Sequence, residues 1–127
     1  MKLRILDDSV RLRLARSEVE AIARGERVEA HTTFPDGARF VYALSSSDGT
    51  TPSARFADGR IDIVLPHDRA TAWARSNDVS IRASQRTREG ALALLIEKDF
   101  ECLEPRDGEE ASDRFPNPKA KRRRDKD

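Results

Sequence analysis

The chain of 127 residues has little of several residue types on which particular classes of protein depend. It has one cysteine, Cys102, so no disulfide can form within the chain, and this usage fits a reducing compartment. Its two histidines, His31 and His67, lie far apart in sequence, and no metal-ligand spacing surrounds either of them. We therefore predict no disulfide framework, no metal site and no bound cofactor.

Long apolar runs are also missing. The longest continuous one, ALALLI at residues 91–96, is far shorter than the roughly 20 residues that span a membrane. The N-terminal sequence MKLRILDDSV lacks the apolar stretch of a signal peptide. We expect a soluble cytoplasmic protein without membrane contact, and the length suits one domain.

The sequence has no large excess of either charge, yet its charge is unevenly distributed. Residues 1–103 carry 16 basic and 16 acidic side chains. Residues 104–115 then carry 5 acidic and 2 basic side chains, and residues 116–127 carry 6 basic and 2 acidic ones. The body of the chain is thus neutral, whereas the segment after it is first acidic and then basic.

The main positive feature is one pattern that occurs twice. DDSVRLRLARSEVEAIARG at residues 7–25 matches DGRIDIVLPHDRATAWARS at residues 58–76, at an offset of 51. Apolar residues coincide at this offset along most of the chain. The pairs are Ile5 with Phe56, Val10 with Ile61, Leu12 with Ile63, Leu14 with Leu65, Ile22 with Trp73, Val28 with Val79, and Phe40, Tyr42 and Leu44 with Ala91, Ala93 and Leu95. This pattern indicates a tandem duplication of a unit of about 50 residues.

Each unit reads as two strands, a short helix and two more strands. Alternating apolar residues predict two strands with one buried face, and DD or DG between them predicts a hairpin turn. Ser17 is placed to cap the first helix with Glu20 completing a capping box, Asp68 to cap the second, and Gly25 to end the first. Further strands are expected near residues 27–34, 38–45, 78–83 and 91–98.

These elements predict an α+β, mostly β fold. A four-stranded sheet with one apolar face must cover that face, and two such units can cover each other. We expect a single domain at residues 1–103, made of repeats at about 1–50 and 52–101, that forms one β-barrel or sandwich with an internal pseudo-two-fold axis and two short helices. The expected core is Ile5, Val10, Leu12, Leu14, Ile22, Phe56, Ile61, Ile63, Leu65 and Trp73.

Two resemblances accompany this pattern. SVRLRLARSEV and GRIDIVLPHDRA resemble the hairpin-then-helix segment of the swapped-hairpin family that includes AbrB-type transition regulators and MazE-type antitoxins. That resemblance implies a barrel of interlocked hairpins that binds DNA. IEKDFECL and FPNP look like a group of small bacterial proteins of unknown function, which implies a bacterial origin and no particular activity.

One candidate binding surface stands out in the first hairpin. Its polar positions are basic, and they are Lys2, Arg4, Arg11, Arg13 and Arg16. Such a group is typical either of a face that contacts nucleic-acid phosphates or an acidic partner, or of a solvated strand face that keeps a sheet soluble. The second hairpin offers only Arg55 and Arg60 against Asp58 and Asp62, so the basic face is not duplicated.

Catalytic residues are not evident from the spacing. Cys102 is interpreted either as a nucleophile with a histidine base or as a small buried apolar residue. We favour a small binding or regulatory protein without catalytic activity, with AbrB-like nucleic-acid binding as the specific form. A small enzyme that uses Cys102 or a carboxylate cluster is the alternative.

The segment after the repeat carries one large apolar side chain, Phe115, between the acidic and basic runs. We expect residues 104–118 to form an acidic extension that docks on the body, anchored by Phe115 and masking the arginines of the first hairpin. The basic residues 119–127 are expected to be disordered. The partner is expected to be an unidentified protein or a weakly bound nucleic acid, and the protein to be a monomer or a homodimer.

Overall fold

The computed structural model describes residues 1–100, which form eight strands and two helices. The first unit consists of β1 (Lys2–Leu6), β2 (Ser9–Leu14), α1 (Arg16–Ala23), β3 (Val28–Thr33) and β4 (Arg39–Ser47). The second consists of β5 (Ser53–Ala57), β6 (Arg60–Pro66), α2 (His67–Arg75), β7 (Ser80–Arg86) and β8 (Ala91–Lys98). The predicted α+β class and the ββαββ duplication are confirmed.

Several expectations concern later residues. Five of them lie outside the described residues. These are the role of Cys102, the anchor at Phe115, the acidic extension at 104–118, the basic tail at 119–127 and the domain end at 103.

The two units exchange hairpins. Sheet A has the strand order β1-β2-β8-β7, and sheet B has the order β3-β4-β6-β5. At the centre of each sheet a strand of one unit runs parallel to a strand of the other, β2 with β8 and β4 with β6. Superposing unit one on unit two therefore carries sheet A onto sheet B. The sheets form a sandwich and not a closed barrel, and neither unit completes a sheet by itself.

The core lies between the sheets and under the two helices. Period-2 alternation in β2 and β6 buries equivalent residues, Leu12 and Ile63, which are both 0% exposed. From the helices, Ile22 and Trp73 are buried at equivalent positions. The indole N–H of Trp73 donates to the carbonyl oxygen of Val79 at 3.2 Å, so its polar atom is satisfied. The predicted duplication is thus visible in the packing.

The prediction was wrong for two of the ten expected core residues. Ile5 and Phe56 are 54% and 63% exposed. They occupy equivalent positions on the edge strands β1 and β5, opposite Val10 and Ile61. Both lie on the core side of their sheets, but each is on an outer strand, where covering groups are fewer than at the centre.

The single offset of 51 does not hold beyond the helices. Val28 is structurally equivalent to Ile81 and not to Val79, because Val28 and Ile81 each lie opposite an apolar residue at the same place in the last hairpin of their unit. Ile81 is buried, whereas Val79 is half exposed. Ile81 follows Trp73 by eight positions, whereas Val28 follows Ile22 by six, so the second unit has two more residues between these equivalent points. The following hairpin is shorter by one, so Leu44 is equivalent to Ile96 and not to Leu95. Sequence alignment without gaps missed both changes.

The predicted helix caps were also wrong. Each helix begins within two residues of the preceding strand, so the N-cap positions are Ala15 and Pro66, not Ser17 and Asp68. Glu18, and not Glu20, provides the acceptor at the first helix, because its Oε1 accepts the N–H of Ala15 at 2.8 Å. Gly25 does end the first helix region, in the left-handed conformation with φ of 79°.

Candidate functional site

Four of the five predicted basic residues lie together on the outer face of sheet A. Alternation along β1 and β2 turns their side chains away from the core, and the antiparallel register pairs Lys2 with Arg13 and Arg4 with Arg11. Arg16 is placed elsewhere, in α1, where its Nε lies 3.8 Å from Oε1 of Glu20.

The exchanged hairpin of unit two extends this basic face. Arg11 lies beside Leu95 of β8, and Leu95 lies beside Arg82 of β7. One straight line across the four strands therefore reads Arg4, Arg11, Leu95, Arg82, and we call it the arginine row. Adjacent strands are about 4.8 Å apart, so its three arginines start within about 15 Å of one another.

A carboxylate organises the centre of the face. Glu97 of β8 is 9% exposed and is the only buried charged residue among residues 1–100. Its Oε1 accepts the Nε–H of Arg11 at 2.7 Å and also the Nε–H of Arg13. This pairing fixes the two guanidinium groups and offsets part of their charge.

The face carries a formal excess of positive charge among its side chains in residues 1–100. Lys2 Nζ lies 3.0 Å from Oδ2 of Asp99. The basic members Lys2, Arg4, Arg11, Arg13 and Arg82 outnumber the carboxylates of Glu97 and Asp99 by three. A cavity of about 350 Å³ lies beside the arginine row and has Arg4, Arg11 and Arg82 in its wall.

The equivalent line on sheet B has the opposite charge. It reads Arg55, Asp62, Ala43, Glu29, so its net charge is −1 where the arginine row has +3. The two sheets have the same strand arrangement, and they differ only in their side chains. The contrast between the two sheets therefore cannot be a property of the architecture.

Sheet B also neutralises its own charges. Arg60 contacts both carboxylates of the line, with Nη2 at 3.3 Å from Oδ1 of Asp62 and Nη1 at 3.6 Å from Oε1 of Glu29. Arg27 contacts the same two residues at 3.3 and 3.0 Å. The hydrogen bond to Asp62, followed by that to Glu29, raises the pKa of the Arg60 guanidinium above its ordinary value. Its positive charge is thus matched locally.

The histidines do not form a catalytic group with each other. His31 on β3 has its Nε2 2.7 Å from Nη2 of Arg39, whereas Nδ1 of His67 lies 3.3 Å from Oγ of Ser46. Within residues 1–100, no group of three or more His, Cys, Asp and Glu side chains could hold a metal ion. Neither helix in this part of the chain is long and apolar enough to cross a membrane.

Sequence reasoning missed two members of the basic face, Arg82 and Glu97. Both belong to the last hairpin of unit two, which joins the sheet of the first hairpin only because the units exchange hairpins. Alternation in SIRASQR identifies Arg82 as an outward residue. It does not indicate which sheet receives the strand.

Comparison with known proteins places the chain in a family but assigns no activity. A family model described as a family of unknown function, DUF7009, matches residues 1–119. No curated protein and no solved structure matches the chain. Because the match covers most of the chain, the protein belongs to the DUF7009 family.

Proposed function

We propose that this protein binds nucleic acid without catalysis, through phosphate contacts made by the outer face of sheet A. The arginine row carries the proposal, because Arg4, Arg11 and Arg82 come from three strands and converge on one line. Guanidinium groups suit phosphate through paired N–H donors, and several such contacts provide affinity that does not depend on base sequence.

The difference between the sheets supports this function over simple solubility. A strand face can be kept solvated by charged side chains of either sign. Sheet B is solvated in this way by arginines and carboxylates that are in contact with each other. In sheet A, by contrast, the charged residues of the arginine row are all positive. We infer that this imbalance serves a polyanionic partner.

The resemblance of the hairpin-then-helix segments to AbrB-type regulators supports the finer form of the proposal, which is duplex DNA as the partner. In that family, interlocked hairpins present the binding surface. Here the hairpins of the two units interlock within one chain. The likeness is short, so the arginine row remains the principal argument.

Fluorescence anisotropy with a labelled duplex of random sequence tests the proposal. The variant R4Q/R11Q/R82Q removes three positive charges from the outer face of sheet A, and the control R27Q/R55Q/R60Q removes three from sheet B and from Arg27 beside it. At low salt we expect the first variant to bind at least about tenfold more weakly than the unaltered protein, and the control to bind about equally. Thermal melting confirms that each variant is folded.

Two results would contradict the proposal. One is the absence of binding by the unaltered protein at low salt. The other is an equal loss of affinity in both variants, since that would assign binding to overall charge and not to the arginine row.

A further inference from the structure

The chain leaves sheet A beside its basic face. After β8 ends at Lys98, the N–H of Asp99 donates to the carbonyl oxygen of Leu14 at 2.9 Å. The carboxylate of Asp99 then contacts Lys2 at 3.0 Å. The next residues in the sequence therefore start at the edge of the face that carries the arginine row.

Those next residues have the complementary charge. Residues 101–113, ECLEPRDGEEASD, contain six carboxylates and one basic side chain, Arg106. We call them the acidic segment. Its net charge of −5 is opposite in sign to the formal excess of three positive charges counted above for the outer face of sheet A.

The acidic segment is also long enough to cover the face. Thirteen extended residues span about 43 Å at about 3.3 Å each. The face itself is about 15 Å wide across four strands and about 20 Å long along each strand. Every arginine of the row lies within reach, whereas sheet B offers carboxylates that are already in contact with its own arginines.

We propose that the acidic segment docks on the outer face of sheet A, with its carboxylates against Arg4, Arg11 and Arg82, and competes there with nucleic-acid phosphates. Covalent attachment gives the segment a local concentration of the order of millimolar, so modest attraction is sufficient for docking. The competitive effect rests on the proposed function, whereas the docking does not.

Docking is tested without nucleic acid by paramagnetic relaxation in solution. In the full chain carrying C102S and S112C, a nitroxide at position 112 leaves the charge of the acidic segment unchanged. We expect it to broaden the amide signals of Arg4, Arg11 and Arg82, but not those of Arg55 and Asp62. The broadening should disappear near 0.5 M salt, where the screening length is only a few ångströms.

Competition is tested by anisotropy on a labelled random duplex. The variant E104Q/D107N/E109Q/E110Q/D113N neutralises the acidic segment. The control E26Q/D36N/D48N/D58N/D68N changes the net charge equally at positions outside sheet A and its face. If the segment covers the face in nine molecules of ten, the first variant binds about tenfold more tightly, and the control gains much less.

The outcomes separate this inference from the proposed function. Equal broadening on both sheets, or none on sheet A, overturns docking whether or not the protein binds nucleic acid. Broadening confined to sheet A with no binding by any variant supports docking and overturns the proposed function. Equal affinity gains in the two neutralised variants overturn competition.

Discussion

At the scale of the residue, Glu97 distinguishes the two sheets. It lies beside Arg13 at the centre of sheet A, and the equivalent residue of sheet B is Ser45, which lies beside Val64. The carboxylate of Glu97 accepts hydrogen bonds from two arginines on the same strand. Without it, two like charges would be held close together at a partly covered position.

We predict that Glu97→Gln lowers the free energy of unfolding by about 1–2 kcal/mol, because an uncharged acceptor leaves the two guanidinium groups without their shared counterion. Urea denaturation measures this loss. Glu29→Gln on sheet B is the matched control, and its effect should be far smaller because its ion pairs are exposed. Equal losses in the two variants would remove the special role assigned to Glu97.

A second residue-scale prediction concerns the turn between β5 and β6. Asp58 and Gly59 both have positive φ, at 52° and 72°, the combination that a type I′ hairpin turn requires. An added Cβ at Gly59 would lie 3.2 Å from the carbonyl oxygen of Arg39. Gly59→Ala should therefore cost about 1–2 kcal/mol in chemical denaturation.

Gly90 provides the comparison for that substitution. A Cβ added at Gly90 would meet no heavy atom within 4 Å beyond its neighbours in the chain, and the backbone there is not left-handed. Gly90→Ala should leave the denaturation midpoint almost unchanged. A comparable loss at both glycines would show that the turn geometry at Gly59 is not responsible.

At the scale of the element, the period-2 pattern predicted the inward faces of the strands but not the depth of each residue. Leu12 and Ile63 lie on central strands and are 0% exposed, whereas Ile5 and Phe56 lie on edge strands and are more than half exposed. Alternation identifies the side of a sheet, and burial also depends on the neighbours that cover it.

We predict that Leu12→Ala and Ile63→Ala each lower the free energy of unfolding by about 2–5 kcal/mol, because both create cavities in the centre of the sandwich. Ile5→Ala and Phe56→Ala should each cost less than about 1 kcal/mol. Denaturant titration of the four variants checks this order. A large loss of unfolding free energy in Ile5→Ala or Phe56→Ala would show that these residues contribute to the core.

The same distinction explains which elements were predictable. Two strands, a short helix and two strands per unit follow from the local periodicity, and the observed β8 has the predicted bounds. The starts of the helices were missed because Ala15 and Pro66 occupy the cap positions without a side-chain hydrogen bond. Cap preferences are informative only where a side chain makes the cap.

At the scale of the whole molecule, the exchange of hairpins joins the two units. Both sheets contain strands of both units, and their central strand pairs connect one unit to the other. Local patterns do not contain this information, since either pairing of hairpins would bury the same apolar faces. The basic face could be predicted as far as Lys2, Arg4, Arg11 and Arg13, but Arg82 required the topology.

The exchange leads to a prediction about fragments. Residues 1–50 or 51–100 alone would leave the apolar faces of two hairpins without their partner sheets, so neither fragment should fold as a monomer. Circular dichroism and size measurements on each fragment check this. A mixture should regain the strand signal of the longer chain, whereas a stable monomeric fragment would contradict the mutual dependence of the units.

The central claim is that the arginine row contacts phosphates, and the salt dependence of duplex binding tests it most directly. Plots of log Kd against log salt concentration are compared for the unaltered protein, Arg82→Gln and Arg55→Gln. Each lost phosphate contact should reduce the slope by about 0.9, so Arg82→Gln lowers it by about that amount and Arg55→Gln leaves it unchanged. An unchanged slope for Arg82→Gln, or an equal reduction for both variants, would contradict the claim.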